Sequence, residues 1–315
     1  VFGFAAMAAS CQPIDAQAAP PRPCAVAPCT GFRFLASPMF VVVWCIVAIN
    51  YAPYVLWTPR DTVVRWLCVI VFHVLVALLL GSYVMCVFTD PGTVPVEWHE
   101  AVAKDEALAA SHRLCPKTRM YRPLRSHYCS VTRRVVLNMD HFCPWVVNTV
   151  GFYNRKFFVL FLMYTLLSCL WVIFTSVPLI FALKDQKQYG EELRRIGAKW
   201  GSNRLMVAML AMLLDAALSV MLLCFFSFHV RMVLLNETTI EGPSSMYNIN
   251  SRANWEQVFG TNKWLWFLPV YGGGPAGDGV HWPSRRRRQA GLQQLDEIES
   301  GQLLTCVDTS DSSAE

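Results

Sequence analysis

Hydrophobic residues gather in four long blocks along this chain, separated by polar stretches. Leu35–Trp57 and Trp66–Phe88 are nearly free of charge, and so are Phe157–Leu183 and Leu205–Val230 apart from Asp215. Each is longer than the roughly 20 residues a helix needs to cross a bilayer core of about 30 Å. Buried helices of soluble proteins rarely run so far without a charge. The pattern predicts four membrane-spanning helices. The short Thr58–Asp61 turn joins the first two as a hairpin, and Pro53 and Pro178 are expected to kink the first and third. The expected fold class is an all-α membrane protein of four transmembrane helices, with a loop domain between the second and third.

Composition agrees. Of 315 residues, 54% are hydrophobic and 16% charged, which excludes an ordinary soluble domain. Lys and Arg then orient the chain. Ten lie in Thr89–Lys156, seven follow Val230 and two precede Leu35, against two in Thr58–Arg65 and six in Lys184–Arg204. This bias predicts that both termini and the central loop are cytosolic. The net charge of +5 is accounted for by cytosolic loops facing anionic lipid, without nucleic acid. Five of the twelve cysteines (Cys45, Cys68, Cys86, Cys169 and Cys224) lie inside spans and none in the two expected lumenal loops, so no disulfide framework is predicted.

The chain divides into six segments: a disordered arm (1–34), the span hairpin (35–88), the central loop (89–156), spans three and four (157–230), a C-terminal segment (231–282) and a disordered tail (283–315). The arm carries Cys11, Cys24 and Cys29, read either as acylation sites or as ordinary thiols. The tail opens with Arg285–Arg288, read as a contact with anionic headgroups or a trafficking signal. Asp215, near the middle of the fourth span, is either functional or bonded to hydroxyls of neighbouring helices. Asn50 and His73 read as structural.

The chemistry concentrates in DHFCPWVVNTVG, residues 140 to 151. A thiol reacts as its thiolate, and a nearby His takes its proton. An Asp beside that His fixes the tautomer and stabilises the imidazolium. From Cys115 to Phe158 the loop resembles the DHHC protein S-acyltransferases, or palmitoyltransferases. The likeness continues in Asp90-Pro91-Gly92 after span 2, in Thr238-Thr239-Ile240-Glu241 after span 4, and in Asn254-Trp255 through Gly260. Each motif is weak alone; all of them in order around four spans, across roughly Leu35 to Val270, make a strong case.

The resemblance implies a two-step transfer from fatty acyl-CoA, through an acyl-cysteine, to a cysteine of a substrate protein. Cys143 would be the nucleophile, His141 the general base and Asp140 its orienter. Trp145 would lie beside the acyl chain. Thr238 or Thr239 would support the site from beneath, with Glu241, Asn254 and Asp90 as further supports. Arg125 and Arg122 are favoured for the CoA phosphates among the loop's basic residues, which read equally as a solvated face near headgroups. The family's acyl cavity lies among the spans, and Ser168 falls at one capping position. A small Ser there implies an open floor, unless it only bonds a carbonyl one turn back.

The family also normally holds two zinc ions. Aligned without gaps, the first site's ligand positions fall on Cys115, Thr118, Tyr128 and Val135, and the second's on Cys129, Thr132, Phe142 and Thr149. One ligand per site survives where a structural zinc needs four. Zinc is therefore not expected, and Phe142 reads as part of a coherent loss. No other cofactor is required, since acyl-CoA is a co-substrate. Expected partners are membrane-associated proteins with cytosolic cysteines and the lipid bilayer. The expected location is an endomembrane, Golgi or endoplasmic reticulum, ahead of the plasma membrane. The rival reading is a catalytically silent scaffold of the same family, against which the intact Asp140, His141 and Cys143 argue.

Overall fold

The computed structural model describes residues 37–57, 63–182 and 202–283. The arm with Cys11, Cys24 and Cys29, the Thr58–Asp61 turn, most of the Lys184–Arg204 connection, and Arg285–Arg288 with the tail lie outside the described residues. The chain begins with α1 (Pro38–Trp57), through which Pro53 is accommodated, and α2 (Val63–Phe88). Two short helices follow, α3 (Val96–Lys104) and α4 (Glu106–Ser111). Six three-residue strands come next: β1 (Arg113–Cys115), β2 (Met120–Arg122), β3 (His127–Cys129), β4 (Arg134–Val136), β5 (His141–Cys143) and β6 (Asn148–Val150). Then come α5 (Arg155–Ala182), α6 (Ser202–Leu235), α7 (Ser251–Phe259) and a 3-10 turn at Lys263–Leu265. Among the described helices, α1, α2, α5 and α6 are long and apolar enough to cross a membrane. α5 is the central one: 56% of its apolar stretch is buried inside the protein, against 17–22% for the others.

Two expectations are corrected. The protein is mostly helical but not all-α, because the loop between α2 and α5 holds three antiparallel hairpins, β1–β2, β3–β4 and β5–β6. Strands of three residues are too short to carry an alternation signal, so turns rather than periodicity define them. The helices also outrun the apolar blocks. α5 begins with Arg155 and Lys156, and α6 continues five residues past Val230, through Arg231, to Leu235. A charge ends an apolar block without ending a helix. The stop is Asn236, with φ of 55°, where the Asn236 N–H bonds the Val233 carbonyl (3.1 Å) and the Glu237 N–H the Met232 carbonyl (2.8 Å).

The three hairpins repeat every 14 residues. Cys115, Cys129 and Cys143 each end the first strand of a hairpin, and Arg119, Arg133 and Val147 each carry a left-handed φ of 49–56° before the second. The third hairpin is bolted to the end of α2. Asn148 Nδ2 donates to the carbonyls of Cys86, Val87 and Thr89, and Asn154 Nδ2 to those of Cys86 and Thr149, so side chains satisfy the carbonyls that a helix end leaves open. Gly151 lets the Asp90-Pro91-Gly92 turn close over this joint, since a Cβ there would sit 2.5 Å from the Pro91 carbonyl oxygen. Asp90 holds its own turn through the Gly92 N–H (2.8 Å) and reaches Arg134 on β4 (2.6 Å).

Candidate active site

Strand alternation sorts the residues of β5. Side chains of His141 and Cys143 leave one face and Phe142 the other. The first face meets the spans. Cys143, 4% exposed, packs in an apolar cluster with Val43 of α1, Tyr83 and Cys86 of α2, Phe158 and Leu162 of α5, and Leu222 of α6. The His141 ring lies edge-on to Phe158 at 5.1 Å between centroids. The opposite face meets the second hairpin, where Phe142 packs against Cys129, Val136 and Met139.

Asp140 is wholly buried, and its carboxylate is held from several sides. His141 Nδ1 donates to Oδ2 at 2.6 Å, and the Thr239 N–H donates to Oδ1 at 3.1 Å. The Thr239 hydroxyl donates to the Asp140 backbone carbonyl. Arg155 Nη2 lies 3.6 Å from Oδ1. Burial alone would favour the neutral acid, yet the Arg155 charge and the His141 bond pull Asp140 down to about 2. Burial likewise opposes charge on His141, but its interactions with Asp140 and the Cys143 thiol outweigh that and raise it to about 9. An acid, an imidazole and a thiol thus line up, the carboxylate making the imidazole a stronger base.

The turn after α6 supports this row. Thr239 reaches Asp140, while the Thr238 hydroxyl accepts the Glu241 N–H at 3.2 Å within the turn itself. Asn254 Nδ2 donates to the Leu234 carbonyl (2.7 Å), fixing α7 against the end of α6. Glu241 accepts Arg125 Nε and Nη2 at 2.9 and 2.8 Å. Arg125 also donates to the Asn236 side chain and carbonyl, and its guanidinium lies between the rings of Trp282 (4.4 Å) and Tyr247 (4.6 Å). This corrects the expectation for Arg125. Its side chain is 0% exposed, so its donors face Glu241 and Asn236 and not CoA phosphates. Arg122 is half-buried and gives one donor to the Ser126 carbonyl at 3.1 Å. Trp145 is 46% exposed and its carbonyl accepts the Tyr83 hydroxyl at 3.2 Å. Ser168 lies apart from this group, on α5. Its hydroxyl donates to the Tyr164 carbonyl one turn back (2.7 Å), and it lines a cavity of about 50 Å³ among the four spans with Asn50, Cys169 and Asp215.

Sequence reasoning missed two residues. Neither Arg155 nor His229 was singled out from the sequence. His229 is buried, with its ring 5.8 Å from that of His141. Only the helix phase that turns both toward β5 would have singled them out.

The four residues at the second zinc position converge without forming a donor set for that metal. Cys129 Sγ accepts the Thr149 hydroxyl (3.2 Å) and the Thr132 N–H (3.5 Å), the two hydroxyls are 3.5 Å apart, and Phe142 closes the cluster. Burial would raise the Cys129 thiol, but these bonds lower it. Of the first zinc position, Tyr128 and Val135 face each other across the second hairpin, β3–β4. Among the described residues no group of three or more His, Cys, Asp or Glu is placed to hold a metal. One thiol with hydroxyls, a phenol, a Phe ring or a Val does not fit a structural zinc.

The sequence comparisons bear on the same region. The family model for DHHC palmitoyltransferase matches residues 109–245, from the first hairpin through the turn after α6. "Probable protein S-acyltransferase 13" of Arabidopsis thaliana is 37% identical over 271 residues, 77% of this chain and 87% of that protein. "Probable protein S-acyltransferase 12" of the same plant is 33% identical, covering 77% of this chain and 90% of its own. Human "Palmitoyltransferase ZDHHC20" is 29% identical over 78% of this chain and 74% of its own. With a relative this similar along most of both chains, and the matched region containing the Asp–His–Cys row, the chain belongs to the DHHC palmitoyltransferase family and is a multi-pass membrane enzyme that transfers acyl groups to protein cysteines.

Proposed function

We propose that Cys143 carries the acyl group and that Asp140 and His141 serve it. The observation behind this reading is the row of contacts from Thr239 through Asp140 to His141 and the Cys143 thiol. His141 takes the thiol proton, and the sulfur attacks the carbonyl carbon of the acyl-CoA thioester. The bond to the CoA sulfur breaks, and the leaving thiolate takes the proton back from His141. The substrate protein's cysteine then gives its own proton to His141 and attacks the Cys143 thioester, and Cys143 leaves as the thiol. Asp140, buried and ionised, keeps Nδ1 of the imidazole as the donor toward itself and Nε2 free for the sulfur.

Trp145, half exposed beside the nucleophile, borders the acyl chain. Arg122 is the remaining candidate for the CoA phosphates. Arg125, Glu241, Thr238, Thr239, Asn254 and Asp90 hold the frame. The loop domain (89–156) and both termini face the cytosol of a Golgi or endoplasmic reticulum membrane, in keeping with the Lys and Arg distribution, and the substrates are membrane-associated proteins with cytosolic cysteines. This is a DHFC variant in which zinc-ligand positions have been replaced and the loop is held without metal.

The test is to incubate the purified protein with a clickable acyl-CoA. Wild type forms a hydroxylamine-sensitive adduct, Cys143→Ser forms none, and His141→Ala forms it about 100-fold more slowly, the usual scale for losing a general base. A thioester formed by Cys143→Ser shows that another residue is the nucleophile.

A further inference from the structure

The row of catalytic contacts does not end at Asp140. Arg155, in the first turn of α5, is 1% exposed, and its Nη2 donates to the Glu237 carbonyl at 2.7 Å while lying 3.6 Å from Asp140 Oδ1. Nε and Nη1 are buried without a hydrogen-bond partner. A buried guanidinium with two of its nitrogens unpaired costs stability, and such a cost is tolerated where the charge itself is used. Among the described residues, the only carboxylate within ion-pair distance of it is Asp140. Asp140 is in turn 0% exposed, and a carboxyl in that position reverts to the neutral acid unless a positive charge stands beside it. A neutral Asp140 would neither orient nor stabilise the imidazolium.

We propose that Arg155 is a positioning residue for acyl transfer: it keeps Asp140 ionised and, with the Thr239 N–H, occupies Oδ1 so that Oδ2 is left for His141. The proposal rests on the assignment of Cys143, His141 and Asp140 made above. The charged and titratable groups around the pair are few. Asp140 faces His141 on β5, Arg155 on α5 and His229 on α6; His141 also faces Cys143; Arg125 and Glu241 stand beyond Arg155. Removing Arg155 makes Asp140 easier to protonate. A protonated Asp140 no longer holds the proton on His141, so His141 releases it at lower pH and is a weaker base. The acid limb of Cys143 loading moves down in pH and the plateau rate falls.

The experiment follows acyl-CoA loading from pH 5 to 9 on the full chain in nanodiscs. Arg155→Gln moves the acid limb down by about one pH unit and slows loading at the plateau, and Arg155→Lys restores both. Asp140→Asn masks the change, so the double variant loads no more slowly than Asp140→Asn alone. An acid limb left at its wild-type position in Arg155→Gln, or a double variant slower by the product of both losses, overturns the proposal. If Arg155→Gln alone does not fold, thermal melting decides. Removing both charges together gives a protein that melts above each single variant, and a double variant melting below both overturns the proposal. Cys143→Ser, carried alongside, separates this from the parent assignment: a thioester on that variant dismisses the nucleophile whatever the limb does.

Discussion

Individual side chains make the clearest claims here, because several buried charges have named partners. Arg125 is the structural counterpart of Arg155. Its guanidinium is enclosed by Glu241, Asn236 and two rings, and Glu241 is 17% exposed, so Arg125→Ala leaves a poorly solvated carboxylate behind. Breaking such a pair costs about 3–5 kcal/mol, which thermal melting in nanodiscs will register. Removing both charges as Arg125→Leu with Glu241→Leu costs less than Arg125→Ala alone. His141 makes a prediction in pH. Its folded value of about 9 lies above the unfolded value of about 6.5. Its stabilisation is therefore complete below about pH 6.5 and is lost as pH rises through 9. Asp140, held near 2, runs the other way: its contribution is present above its unfolded value of about 3.9 and is lost only as pH falls through 2. The wild-type melting temperature should fall between pH 6.5 and 9.5, and His141→Ala should flatten that slope. An unchanged slope in His141→Ala would show that other groups set it.

At the scale of elements, the sequence was most legible where a signal was long and least legible where it was three residues long. Four long apolar helices followed from uncharged runs, and the candidate site was read from Asp140, His141 and Cys143 lying together, with Thr239 near the end of span four. The hairpins escaped, because a strand of three residues offers one alternation at most. Arg125 was misplaced because a positive residue before the His–Cys pair looks the same whether it faces solvent or folds under the domain. The direction was set by its left-handed φ of 61° and by the Trp282 and Tyr247 rings, far along the chain. The second hairpin carries its own prediction. The Cys129, Thr132, Thr149 and Phe142 cluster is joined by hydrogen bonds and packing. Elemental analysis should find less than one zinc per chain, and dialysis against a chelator should leave the melting temperature unmoved. Stoichiometric zinc surviving that dialysis refutes this. Thr149→Val, which leaves the buried Cys129 thiol without its hydroxyl donor, should cost about 1 kcal/mol.

For the whole molecule, the four long helices enclose a continuous apolar region. The apolar cluster around Cys143 continues through Leu218 to the cavity at Ser168, where side chains from all four spans meet. Phe158, beside His141, and Ser168 are ten residues apart on α5, a rise of about 15 Å. That depth suits the far end of a C16 chain. Ser168→Phe should shift loading in a competition assay from palmitoyl-CoA toward myristoyl-CoA, and an unchanged preference would remove Ser168 from the floor. The turn at residues 236–242 has a wider consequence. Within seven residues at the tip of α6 it binds Asp140, Arg155 and Arg125. A spanning helix answers a bilayer thinner or thicker than itself by tilting, and a tilt of α6 carries this turn sideways under the nucleophile. Hydrophobic thickness then becomes an input to the enzyme: across vesicles of graded lipid chain length, acyl loading should peak at one thickness and decline on either side.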